Sequence, residues 1–172
     1  MADVIYLVLL ILHVGFITAW LGGGVLFISI ITPGLAKISA SSRREFIVAV
    51  LPRYIRFLGL VSGGAVIAGV LLLLYITQVA TSLAPSASGS QFIAVGAIIG
   101  LAALIVATAV VIPTGNRLVA QLGTAASDTS TGDGAKPSLM IPMLQKRLRT
   151  GAGLTVGLLA ITLVLMIVGA SI

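Results

Sequence analysis

Four long apolar runs divide this chain, over residues 4–31, 57–78, 92–112 and 151–171. Each approaches or exceeds the roughly 20 residues that carry an α-helix across a hydrocarbon core. Lipid offers no water to backbone N–H and C=O groups, so each run is expected to be helical. The first run is the longest and is expected to tilt or protrude. Pro33 and Gly34 in "IITPGLAKI" are expected to end it, and Pro113 in "VIPTGNRLV" to end the third. The expected fold class is all-α: an integral membrane four-helix bundle, with residues 1–172 as a single membrane domain.

The polar connections are unequal. Segments 33–56 and 114–149 are long, whereas "VATSLAPSASGS" is short. Within the second, residues 120–138, "AQLGTAASDTSTGDGAKPS", read as a flexible Gly/Ser/Thr/Asp linker. In "SASSRREFIVAVLPRYIRF", Phe46, Ile47, Val50 and Leu51 recur at helical spacing beside arginines. That pattern predicts either basic flanks anchoring helix ends or a short amphipathic helix on the membrane surface. Ser41 or Ser42 would cap it, with Glu45 near its first turn. The two halves also look alike. Each runs as helix, proline break, basic segment, helix, with Pro33 and Pro113 80 residues apart. This predicts a weak parallel repeat of two helical hairpins.

Small residues occur in every run and allow close helix approach. Gly96 and Gly100 form one GxxxG, and Gly153 and Gly157 another. They serve either the bundle itself or a homo- or hetero-oligomer.

Composition fixes the solvent. The chain is 59% hydrophobic and 8% charged, against about 25% charged for a soluble domain. Lipid is therefore its expected surrounding. The absence of cysteine excludes disulfides, iron–sulfur clusters and thiolate metal sites. The net charge of +6 is not read as a nucleic-acid footprint, because all ten basic residues lie in segments 33–56 and 114–149. The positive-inside rule then makes both segments cytoplasmic and both termini external. The expected location is a prokaryotic cell membrane, spanned several times. The opening "MADVIYLVLL" lacks a basic n-region and reads as a retained first helix.

Candidate chemistry is sparse. No Asp or Glu lies within any run, so no carboxylate relay is expected. "ILHVGFITAWLGGG" holds the only histidine and the only tryptophan. Tyr6, His13, Trp20 and Phe27 recur every seven residues and so share one helix face. His13 lies ~13 Å inside the outer end at 1.5 Å per residue. One reading has His13 hydrogen-bonded to a neighbouring helix, through Thr77, Gln78 or Tyr75. Another makes it an axial ligand of haem b, with Trp20, Phe16 and Phe27 near the macrocycle. A copper site or a proton-linked role is the third. Met166 is the only methionine within a run and thus the only His/Met ligand partner in the membrane. Met140 and Met143 form an MxxM, either apolar anchors or a soft-metal pair.

The first half, "LHVGFITAWLGGGVLFISIITPGL" with "LPRYIRFLGLVSGGAVIAGVLLL", resembles the CopD-type small membrane proteins and their HemJ-like relatives. "AALIVATAVVIPTGNRL" is similar to their third helix. The resemblance implies a four-helix unit. In HemJ-like proteins the helix-1 histidine is associated with haem b, which would fall on His13. Those proteins also use a lysine in helix 3, where this chain has none. CopD-type proteins are linked to copper handling, with a His and Met richness largely missing here. Three functions follow as expectations: a haem b redox or electron-transfer protein using His13; a non-catalytic subunit of a larger membrane complex; and a copper-handling or small-solute protein.

Overall fold

A computed structural model describes residues 2–79, 81–127 and 140–172. They form four long helices: α1 over residues 2–35, α2 over Ala40–Gln78, α3 over residues 87–127 and α4 over Met140–Ser171. A 3₁₀ turn, Thr81–Leu83, stands between α2 and α3. Among the described residues there is no strand. The chain is an all-α four-helix bundle, and all four helices are long and apolar enough to cross a membrane.

The outer surface is unlike that of a water-soluble bundle. Large aliphatic side chains face outward on every helix: Ile30 is 64% exposed, Leu60 69%, Ile98 67% and Ile167 60%. Inside, small and hydroxyl-bearing residues, among them Ala65, Ala103, Ala107, Ser62, Thr155 and Thr162, are interleaved with large ones such as Trp20, Leu51, Leu58 and Leu159. Lipid tails are as apolar as leucine, so large side chains gain little by leaving them. Close backbone approach is what favours association, and it requires small residues at the seams. The principal seams are α1 on α2 and α3 on α4. Gly89 of α3 and Gly169 of α4 approach backbone to backbone, a Cβ on either meeting the carbonyl oxygen of the other.

The helices extend past the apolar runs. Pro33 and Pro113 do not end helices. Proline lacks an N–H and its ring crowds the carbonyl four residues back. The preceding turn widens instead into a π-helical turn, Phe27–Ile31 in α1 and Ala107–Val111 in α3. The Thr32 N–H reaches the Phe27 carbonyl and the Ile112 N–H reaches that of Ala107. The two π turns are offset by 80 residues, as are the two prolines. The sequence repeat thus has a structural counterpart in this local device.

Segment 40–56 is likewise not a separate surface helix. It is the first part of α2, which continues through Pro52 with Leu51 and Ile55 buried on either side. Its cap is Ser39, not Ser41 or Ser42: the Ser39 Oγ accepts from the Ser42 N–H at 3.2 Å. Of the expected linker, residues 120–127 are helical, and 128–138 lie outside the described residues.

Candidate functional site

α1 and α2 meet through a groove of small residues on α2, formed by Gly64, Ala65 and Gly69. Two α1 side chains enter it. The Phe16 ring tip lies over Gly64, where a Cβ would come within 2.9 Å of it. The His13 ring lies over Gly69, where a Cβ would come 2.6 Å from Cε1. His13 Nδ1 is 2.8 Å from the Ala65 carbonyl oxygen. A carbonyl only accepts, so Nδ1 carries the proton and donates. Nε2 has no hydrogen bond among the described residues.

The acceptor is therefore a backbone carbonyl, not the side chain of Thr77, Gln78 or Tyr75. Thr77 instead donates to the Leu73 carbonyl in its own helix at 2.9 Å. Gly69 lies nine residues from the end of α2 and His13 eleven from the start of α1, so the two stand at similar depth. The absent side chain of Gly69 is what allows the ring to reach the main chain.

The rest of the stripe is engaged in packing. Trp20 is buried against α4 and α2, beside a cavity of about 10 Å³ lined by Tyr54, Thr155 and Val156. Its Nε1–H has no partner among the described residues. The Phe27 ring stacks on Tyr54 with centroids 4.6 Å apart, and the Tyr54 hydroxyl donates to the Gly23 carbonyl at 3.3 Å. Tyr6 is half-buried. Met166 is turned to α3, its Cγ 3.3 Å from where a Gly96 Cβ would stand.

A haem needs a flat slot with the ligand nitrogen at its centre. His13 supplies an oriented nitrogen of the kind that ligating histidines present, with the other ring N–H held by a carbonyl. The other named residues do not face a common slot. Phe16 lies on Gly64, Trp20 is packed in the core, Phe27 lies on Tyr54 and Met166 is turned to α3. These residues do not fit a haem held inside one copy of this chain. Among the described residues there is also no group of three or more His, Asp or Glu side chains placed to hold a metal ion. Met140 accepts a bond from Gln121 Nε2, and Met143 is exposed.

No family model matches the chain, and neither does any curated protein or solved structure.

Proposed function

We propose that this protein is a non-catalytic subunit of a prokaryotic cell membrane, spanning it four times, that packs through one face of α4 against a second copy or another membrane protein. Both basic segments face the cytoplasm and both termini lie outside; the support is their ten positive charges against none in the connection between α2 and α3. One observation carries the reading. The GxxxG of α3 is filled from within: Gly96 meets Met166 and Leu165, and Gly100 meets Thr162. The GxxxG of α4 is open, since a Cβ at Gly153 or Gly157 meets nothing within 4 Å. Such a face lets another helix backbone come close. The test is chemical cross-linking in native membranes, with mass determination in mild detergent, of the wild type and of Gly153→Leu/Gly157→Leu. The expected result is an oligomer or a stoichiometric partner that the double variant loses while keeping its helicity and thermal midpoint. A wild type that is monomeric and partnerless under both conditions overturns the reading.

A second reading rests on the unpaired Nε2 of His13, together with the likeness of α1 to HemJ-like proteins. In it, Nε2 ligates haem b at the outer side of the α1–α2 seam, with the macrocycle shared with a second copy. Optical spectra of oxidised and dithionite-reduced protein decide it. A Soret band with sharpened reduced α and β bands, lost in His13→Ala, supports ligation. A blank spectrum of folded protein overturns it and leaves His13 as a clasp between α1 and α2.

A further inference from the structure

The basic end of the bundle opens into a cleft of about 370 Å³ to which all four helices contribute. Its wall is apolar, with Phe27 from α1, Val50 from α2 and Leu118 from α3. Its lining includes three cations and no acid: Arg43, Lys146 and Arg149. Arg43 is committed elsewhere, donating to the carbonyls of Leu35, Ala36 and Ile38 at the end of α1. Lys146 and Arg149 are exposed and have no hydrogen bond or ion pair among the described residues. They lie one turn apart on α4, so their charges flank a single position.

The geometry points to a binding site for one anionic phospholipid of the surrounding bilayer. Its phosphate lies between Lys146 and Arg149, and its upper acyl segment lies along Phe27, Val50 and Leu118. Charge and shape select this occupant together. A free inorganic anion would leave the apolar wall against water, and a zwitterionic lipid would bring its own cation up to Lys146 and Arg149 beside its phosphate. The cleft lies beyond the apolar run of α3, at the level where headgroups meet helix ends, and its volume is that of an ordinary ligand pocket. Lys146 and Arg149 lie on the same stripe of α4 as Gly153 and Gly157 but nearer its basic end, and none of the substitutions used to test the site touches either glycine.

Native mass spectrometry tests it, with the full chain released from detergent after equilibration with equimolar phosphatidylglycerol and phosphatidylcholine. The expected result is one tightly held phosphatidylglycerol per chain. Lys146→Gln and Arg149→Gln should each reduce its retention about fivefold. Arg117→Gln/Arg147→Gln neutralises two exposed cations at the same end outside the cleft and should change retention little. Val50→Trp keeps every charge but fills the cleft, and should also displace the lipid. Equal loss from the Arg117/Arg147 control would mean diffuse surface attraction and overturn the site. So would retention in Val50→Trp, or displacement of the lipid by millimolar inorganic phosphate alone.

Discussion

His13 and Gly69 occupy one another's space. The ring lies where a Cβ at position 69 would be, 2.6 Å from Cε1 and 2.8 Å from Nδ1. Gly69→Ala should therefore expel the ring and break the bond to the Ala65 carbonyl. An overpacked contact of this kind costs about 1–3 kcal/mol, and an interhelical hydrogen bond in a membrane is worth about 0.6 kcal/mol. In a His13→Ala background the same Gly69→Ala change meets no ring. It should there be neutral, or stabilising by up to about 1 kcal/mol from helix propensity. A double-mutant cycle, read by reversible unfolding in mixed micelles, checks the sign reversal. Additive effects would show that the ring does not depend on the glycine.

This pair also shows what the sequence reveals and what it conceals. The apolar runs disclose four helices because bilayer thickness imposes a length. The heptad stripe discloses that Trp20 faces inward, since a large side chain with one polar atom is costly against lipid. The partner of His13 is hidden because it is a main-chain carbonyl, identical at every position. The signal that marks it is the cluster Gly64, Ala65 and Gly69, whose absent side chains make room. The helix ends are hidden for a related reason. Pro33 and Pro113 remove one donor each, and whether the helix stops or widens into a π turn depends on packing beyond them. The cleft was illegible because its lining residues, from Phe27 to Arg149, lie far apart in the chain.

Arg43 joins the end of α1 to the start of α2. Its Nε donates to the Leu35 carbonyl at 2.6 Å, and Nη2 reaches those of Ala36 and Ile38 at 3.4 and 3.3 Å. The carbonyls of Leu35 and Ala36 carry the negative end of the α1 dipole, and that of Ile38 belongs to the turn that follows. Arg43→Ala should cost about 1.5–3 kcal/mol, the range for hydrogen bonds involving a charged group. Lysine cannot reproduce the planar fork, so Arg43→Lys should recover less than half of the loss. Thermal unfolding followed by circular dichroism separates the three proteins. Full rescue by lysine would show that charge alone matters.

Pro113→Ala asks what holds the π turn of α3. Alanine restores an N–H, so an ordinary α turn becomes available, rotating the residues beyond it by about 100°. Against this stand Leu118 and Leu122, both buried, and the bond from Arg44 Nε to the Leu122 carbonyl at 2.8 Å. These leucines lie past the apolar run, so exposure there is to water and costs about 1.5–3 kcal/mol each. That exceeds the hydrogen bond an α turn would regain, about 1 kcal/mol net. The π turn should survive, and a Leu118→Cys probe should remain as protected in the Pro113→Ala protein as with proline present. Rapid maleimide labelling would mean that proline itself imposes the register.

Gly169 and Gly157 lie on the same helix and should respond oppositely to alanine. A Cβ at Gly169 would stand 2.7 Å from the Gly89 carbonyl oxygen, 2.9 Å from Ile93 Cγ1 and 3.0 Å from Phe92 Cβ. The first is backbone and the last is the stem of a side chain, so neither can swing aside, and α3 must move off α4. Gly169→Ala should then cost about 1–3 kcal/mol. At Gly157 the Cβ meets nothing within 4 Å, so only the helix propensity of alanine acts on the isolated chain, a gain of up to about 1 kcal/mol. Unfolding of monomeric protein in detergent measures both. In membranes Gly157→Ala should weaken association, because a methyl on an open face holds a partner backbone farther away. A variant more stable alone and less associated in the bilayer is the signature expected of a docking glycine. Stabilisation with unchanged association would mark Gly157 as a lipid-facing position.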